Sequence, residues 1–240
     1  MKNYQLQRIV IDIEQKQEEN IIFTSEQKHY IYNVLRLKDG DSIIVMDGKG
    51  KTWLVCLKGE FNQIIKTLEQ DNELPINITL ICALPKSNSF DEIIRCCTEL
   101  GVNDIMPVIS KRTLLKPSNN KVQRWRKIAI EASEQSERQI VPNILDPLPF
   151  SKAITQINLD NTDAYIALAR GENPHLLSYL QNKFSKNIVI MTGTEGGWED
   201  EEIALAINAK FKGISLGKRV LRAVTAPIMA LSLISSYSEL

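Results

Sequence analysis

Two glycine-bearing segments in the C-terminal half have residue types suited to gripping a small ligand through backbone groups. The first is Thr192-Gly193-Thr194-Glu195-Gly196-Gly197, directly after the apolar run Ile188–Met191. Its glycines let the backbone approach a ligand and adopt positive φ, and the acidic run beyond them opens a helix. A tight strand-to-helix turn has the same composition. The second is Ser215-Leu216-Gly217-Lys218-Arg219-Val220-Leu221-Arg222, which leads into the last helical pattern. Arg219 and Arg222 beside a glycine turn suit an anionic partner, and ordinary surface cations fit the same pattern. A third cluster runs from Arg124-Trp125-Arg126-Lys127 to Gln135-Ser136-Glu137-Arg138. With Ile128 and Ala132 at i,i+4, most of it reads as a structural helix, and Arg138 at its end could reach a phosphate.

Other chemistries fail on spacing. Gly50-Lys51-Thr52 looks like the end of a phosphate loop, but Val45 stands where the leading glycine is required. No GxGxxG follows a strand, and HExxH and GxSxG are absent. His29 and His175, the two histidines of the chain, fall in different segments, which disfavours a serine hydrolase or a zinc enzyme. Cys56, Cys82, Cys96 and Cys97 form no CxxC pair; no metal site or disulfide frame is expected, and a reduced, cytoplasmic location is. The most apolar stretch, Val220–Ile234, is broken by Arg222, Thr225, Pro227 and serine, so no membrane span is expected. The first residues lack the apolar core of a secretory signal.

Lys and Arg number 29 and Asp and Glu also 29, which is awkward for a nucleic-acid partner until the distribution is considered. Between Pro107 and Pro142 eight cations face three carboxylates, a local basic stretch able to meet phosphates. A solvated helix face with mixed charge accounts for the count equally well.

The elements that must position these groups follow from periodicity. Up to about residue 72 the chain reads as short strands, Gln5–Ile13, Ser42–Met46 and Thr52–Leu57. One helix, Ser25–Leu35, is expected, with Ser25 as its cap and Tyr30, Ile31, Val34 and Leu35 at helical spacing. From Ile76 strands and helices alternate. Strands are expected at Ile78–Leu84, Asp104–Ile109, Ala164–Ala169, Ile188–Met191 and Phe211–Leu216. Helices are expected from the Ser89–Glu92 capping box to Gly101, over Lys121–Glu137, Pro174–Asn182 and Glu199–Ala209, and from Thr225 onward. Continuous apolar strands alternating with helices imply an α/β, mostly parallel sheet covered on both faces. Ligands in such sheets bind at the carboxyl ends of the strands, where both glycine segments fall.

Four segments occurring in order resemble the RsmE family: Thr98-Glu99-Leu100-Gly101-Val102, the Arg124–Pro142 helix pattern, Gly193-Thr194-Glu195-Gly196-Gly197, and Leu216-Gly217…Val220-Leu221-Arg222…Thr225-Ala226. Arg8 before an apolar strand and His29…Val34-Leu35-Arg36 are similar as well, so the likeness covers nearly the whole chain. That family comprises bacterial methyltransferases of the SPOUT superfamily that make 3-methyluridine in 16S ribosomal RNA. The resemblance implies a PUA-like barrel over residues 1–72 and, over 73–240, a methyltransferase domain with a C-terminal trefoil knot. It implies an S-adenosylmethionine site formed by Leu168, Gly193, Glu195, Gly196, Gly197, Leu216, Gly217, Val220 and Leu221, mainly through backbone groups. It also implies a homodimer with no metal, and 16S rRNA or the small ribosomal subunit as partner. Two departures stand out: Thr194 replaces a proline of the family's pattern, and Val224 an acidic residue.

The implied chemistry asks for a cation near O2 or O4 of uridine, because the N3 proton must leave before or as nitrogen attacks the sulfonium methyl. Arg222 is the first candidate. Arg8, Arg36, Arg112, Arg124 and Arg138 are candidates for RNA contact, since a guanidinium offers a bidentate fork to phosphate. No general base is named. A knotted methyltransferase acting on another RNA position, and a non-catalytic ribosome-assembly RNA binder, are the competing expectations.

Overall fold

The structure is a computed structural model and describes residues 6–69, 72–86, 88–114, 116–181 and 184–240. It divides into two compact units. One gathers the residues up to Glu73 with Ser133–Val141, and the other comprises Leu74–Ala132 and Pro142–Leu240.

The first unit contains β1 (Arg8–Val10), β2 (Lys16–Gln17), β3 (Asn20–Ile21), α1 (Ser25–His29), β4 (Ser42–Met46), β5 (Thr52–Cys56) and β6 (Asn62–Leu68). They form one curled sheet in the order β1-β4-β5-β6-β3-β2, antiparallel apart from the parallel β1–β4 pair. Ile9, Ile21, Ile43, Val45 and Val55 meet in its core. β6 has no counterpart in the sequence reading, because polar Asn62 occupies an inward position. Its amide donates to the Ile21 carbonyl at 3.1 Å and its oxygen accepts the Lys58 N–H at 3.0 Å, which satisfies the buried group.

The α1 cap is Thr24 rather than Ser25: its hydroxyl accepts the Gln27 N–H at 3.2 Å, and the Gln27 side chain accepts the Thr24 N–H at 2.9 Å. Beyond His29 the helix widens into a π-turn over Tyr30–Val34, closed by Leu35 N–H on the Tyr30 carbonyl. The extra residue per turn shifts the inward face, so Ile31 is buried while Tyr30 and Val34 are exposed. Residues 133–141 join this unit through carboxylates. Glu134 accepts the Val10 N–H at 2.7 Å, and Glu73 binds Arg138 at 2.7 Å together with the Gln139 and Ile140 N–H groups. Helical periodicity alone places this segment with the second half of the chain.

The second unit runs β7 (Asn77–Ala83), α2 (Ser89–Glu99), β8 (Asp104–Ile109), α3 (Asn119–Gln135), β9 (Asn143–Ile144), β10 (Leu148–Pro149), α4 (Phe150–Gln156), β11 (Thr162–Ala167), α5 (Leu176–Leu180), β12 (Asn187–Thr192), α6 (Asp200–Asn208), β13 (Lys212–Ile214) and α7 (Thr225–Ser238). Its sheet is parallel, in the order β10-β8-β7-β12-β11-β13 with β9 beside β8. Both faces are covered, which explains the unbroken apolar strands. One face, with Ile81, Val108, Ile166 and Met191, packs on Phe150, Trp198, Ala206 and Phe211. α7 contacts α2, α5 and β12.

The five strands expected after Ile76, of which β13 is short, and five of the helices fall where the sequence placed them, within a few residues at each end. Gln5 and Asn182, which bound an expected strand and an expected helix, lie outside the described residues. Asn88, rather than the expected Ser89, occupies the cap position and makes no side-chain cap bond. Asp91, in the first turn, instead accepts the Trp125 indole N–H at 3.1 Å and Arg124 Nε at 2.9 Å, and the Phe90 and Trp125 rings pack 4.6 Å apart. The helix ends where expected, at Gly101 with φ +87°.

Cys82 and Cys97 are fully buried, and burial pushes the Cys82 thiol up to about 12 and that of Cys97 well above the ordinary value. A maleimide at pH 8 is therefore expected to leave both unlabelled in native protein and to reach them only in denaturant. Mass mapping of labelled peptides checks this.

Candidate active site

The loops that leave the carboxyl ends of β11, β12 and β13 enclose a cavity of about 500 Å³, a size suited to a cofactor. All nine residues expected at the methyl donor line it. Leu168 comes from the first loop, Gly193, Glu195, Gly196 and Gly197 from the second, and Leu216, Gly217, Val220 and Leu221 from the third. Because β13 lies beside β11 and β12 on its other side, three loops distant in sequence emerge together. The third loop is tied in place: Ser215 exchanges backbone hydrogen bonds with Pro174 and Leu176, and Leu168 N–H donates to Ile214.

Close contact favours glycine at position 193, and positive φ favours it at 197 and 217. A Cβ on Gly193 would lie 3.2 Å from the backbone of Gly197 and 3.3 Å from the Trp198 ring. Gly197 has φ +74° and donates its N–H to the Thr194 carbonyl at 2.9 Å, closing a tight turn. Thr194, buried in that turn, directs its hydroxyl to the Gly197 carbonyl at 3.4 Å. The Glu195 carboxylate accepts the Lys86 N–H at 3.0 Å, which anchors the tip of the loop to the segment after β7. Trp198 holds the base of the loop, packed on Phe150 at 4.9 Å between ring centres. Gly217, at φ +117°, turns the third loop, and Ser215 Oγ accepts its N–H at 3.1 Å.

The arginines separate into distinct environments. Arg8 and Arg138 have side chains only 5% and 3% exposed and are paired with Glu137 and Glu73. The expectation that they contact RNA is corrected on this point: they are internal ion-pair residues of the first unit, and a buried guanidinium needs that carboxylate. Arg36 is exposed in the first unit, with φ +57°. Arg124, 68% exposed, leans on Asp91. Arg112 lines the cavity, with Nε 2.7 Å from Glu199 and an Nη1 hydrogen bond to the Gly196 carbonyl. Arg222 is exposed at the start of α7 and has no ion pair among the described residues. Its neighbours Leu221 and Ala223 line the cavity, but Arg222 does not.

Sequence reasoning passed over Trp198, Arg170 and Asp200 as lining residues, while Arg219, singled out beside the glycine turn, also lines the cavity. Adjacency to a glycine turn was the available signal for Trp198, and Arg170 stands three residues beyond a buried strand. His175 caps α5, its Nδ1 accepting the Leu177 N–H at 3.2 Å. Among the described residues no group of His, Cys, Asp and Glu is placed to hold a metal ion, and no helix is long and apolar enough to cross a membrane.

Residues 72–235 match the family model described as an RNA methyltransferase domain, and residues 23–69 that of an RNA methyltransferase PUA domain. The chain is 45% identical over 236 residues to Ribosomal RNA small subunit methyltransferase E of Synechocystis sp., covering 97% of this chain and 78% of that protein. It is 31% identical to the protein of the same name from Bacillus subtilis, over 98% of both. Among solved structures, Ribosomal RNA small subunit methyltransferase E from Neisseria gonorrhoeae bound to S-adenosyl methionine superimposes with a TM-score of 0.87 at 29% identity, covering 97% of this chain and 98% of that one.

Arg112 holds the Glu199 carboxyl below its ordinary value, chiefly by hydrogen bonding. A lowered carboxyl stabilises the fold above its unfolded pKa, and that contribution is lost as pH falls through the folded value. Thermal melts of the native protein and Glu199→Gln should therefore differ most near neutral pH and converge in acid.

Proposed function

The chain belongs to the ribosomal RNA small subunit methyltransferase E family, and from this we propose that it transfers a methyl group from S-adenosylmethionine to N3 of a uridine in 16S ribosomal RNA. The observation that carries the proposal is the cavity after β11, β12 and β13, where every residue assigned to the donor by sequence resemblance converges.

The residues present fit that donor. Leu168, Leu216, Leu221 and Ile203 offer apolar walls to a planar base. The backbone at Gly193, Gly196, Gly197 and Gly217 carries no side chain that would fill the cradle, and Arg170 and Arg219 stand at the lining to meet a carboxylate. When bound, S-adenosylmethionine supplies an electrophilic methyl group on sulfur. The chain's own work is to hold and orient the donor, exclude water and favour the N3 anion of uridine. A guanidinium near O2 or O4 does the last, because negative charge on N3 spreads to both oxygens. Arg222 is assigned that role: it is exposed beside the cavity and has no carboxylate partner among the described residues. The single displacement forms the N3–C bond, breaks the C–S bond and releases the N3 proton to solvent or a nearby carboxylate. The first unit is assigned to holding RNA, and the active species is assigned as a homodimer.

Incubating the protein with labelled S-adenosylmethionine and small subunits lacking the modification, then analysing nucleosides by mass, tests the reading. 3-Methyluridine is expected; a ribose-methylated product, or no donor uptake in a titration, would replace it by one of the two competing functions. Arg222→Ala should lower kcat by at least about 10²-fold, a loss on the scale of one transition-state donor, while leaving the donor dissociation constant near that of the native protein. Gly193→Ala should weaken donor binding in a protein whose circular dichroism is unchanged, because the new methyl group would press on the Gly197 backbone at 3.2 Å and displace the loop.

A further inference from the structure

We propose that Arg112 is a positioning residue for the donor loop, acting through Gly196 and Glu199 rather than on the RNA; this rests on the methyltransferase reading above. The argument begins with the turn that carries it. After β8 the chain folds back over Ser110–Thr113: Thr113 N–H donates to the Ser110 carbonyl at 3.0 Å, Thr113 Oγ1 accepts the Ser110 N–H at 3.0 Å, and the two hydroxyls lie 2.9 Å apart. This closed turn presents Lys111 and Arg112 at its tip.

The tip is seated on the start of α6 by backbone and side chain together. Lys111 N–H donates to Glu202 at 2.9 Å, and that carboxylate is buried, its other oxygen accepting the Glu199 N–H at 2.9 Å. The Lys111 ammonium reaches Glu201. From this seat Arg112 extends back over the glycine loop, pairing Nε with Glu199 and donating Nη1 to the Gly196 carbonyl. Its aliphatic stem lies on Gly196, where a Cβ would meet Arg112 Cδ at 3.0 Å. Two nitrogens of one planar group therefore fix two points of the donor loop, three residues apart. Arg112 is also part of the cavity lining.

The chemistry follows from that placement. A glycine loop has little intrinsic stiffness, and a loop that must present backbone groups to a ligand gains affinity when it is already held in its bound shape. Arg112 supplies this rigidity from a strand two positions away in the sheet, since β8 is separated from β12 by β7. With Nε and Nη1 both engaged inside the protein, the guanidinium is oriented along the loop and away from the open fork that phosphate recognition uses.

The test separates donor from RNA. Native protein, Arg112→Ala, Arg112→Lys and Glu199→Gln are compared for S-adenosylmethionine dissociation constant by calorimetry, and for kcat and KM toward unmodified small subunits. Arg112→Ala should raise the donor dissociation constant about tenfold, the size of one charge-assisted hydrogen bond, with kcat at saturating donor and KM for the subunit retained. Arg112→Lys should recover only part of the loss, since an ammonium cannot reach both points. A double variant with Glu199→Gln should be no worse than Arg112→Ala alone, because the two act on one contact. An unchanged donor constant with weakened subunit binding and a reduced salt dependence would overturn the proposal and return Arg112 to the RNA surface. If Arg112→Ala fails to fold, Glu199→Gln decides alone: a raised donor constant supports the clasp and an unchanged one rejects it. Native protein that binds the donor yet methylates no uridine would defeat the proposed function while leaving this donor-binding test standing.

Discussion

At Gly193 the backbone runs so close to that of Gly197 that a methyl group there would lie 3.2 Å from it, tighter than ordinary van der Waals contact. The rest of the site depends on this approach. It folds the chain after β12 into a turn narrow enough for three loops to share one cavity, with carbonyl and amide groups where a side chain would otherwise stand. The approach is maintained from several directions: Trp198 wedges the base of the turn against Phe150, Lys86 N–H fixes Glu195, and the turn after β8 holds Gly196 and Glu199. Loops after three neighbouring strands, β8, β7 and β12, therefore behave as one assembly. Sheet order is what makes them neighbours.

A second constraint is the unequal use of positive charge. The chain is balanced overall, yet its arginines separate by burial. Arg8 and Arg138 are almost wholly enclosed with carboxylates, where removing the partner would leave an uncompensated buried charge. Arg112 is about half exposed and bound at two points. Arg170, Arg219 and Arg222 are exposed and have no ion pair among the described residues. These three arginines thus stand at or beside the cavity loops, where an anionic substrate would gain from them. A neutral total and a locally attractive mouth are compatible because internal ion pairs cancel charge in place.

How much was legible follows from what periodicity encodes. The long strands β7, β8, β11 and β12 are continuous apolar runs, and α2, α3, α6 and α7 carry helical spacing, so both kinds of element could be read directly. That the nine residues assigned to the donor share one cavity was foreshadowed by ordered short motifs, each uninformative alone. β6 was not, because Asn62 is a polar residue at an inward position whose hydrogen bonds come from Ile21 and Lys58, distant along the chain. The cap of α2 falls on Asn88, one residue before the expected Ser89, because a capping-box spacing fixes a helix start only to within a residue or two.

The sequence by itself determined the alternation of strands and helices, the glycine turns that permit close backbone approach, and the chemical types available at the loop tips. Those properties are local, set by side-chain period and by the conformational freedom of single residues. Tertiary structure alone decided that Ser133–Val141 packs with the first unit, that Arg138 is an internal ion partner, and that Arg112 lies on Gly196. Each of these depends on pairing between residues tens of positions apart, and such pairing is chosen by the burial of whole strands and helices together rather than by any single segment.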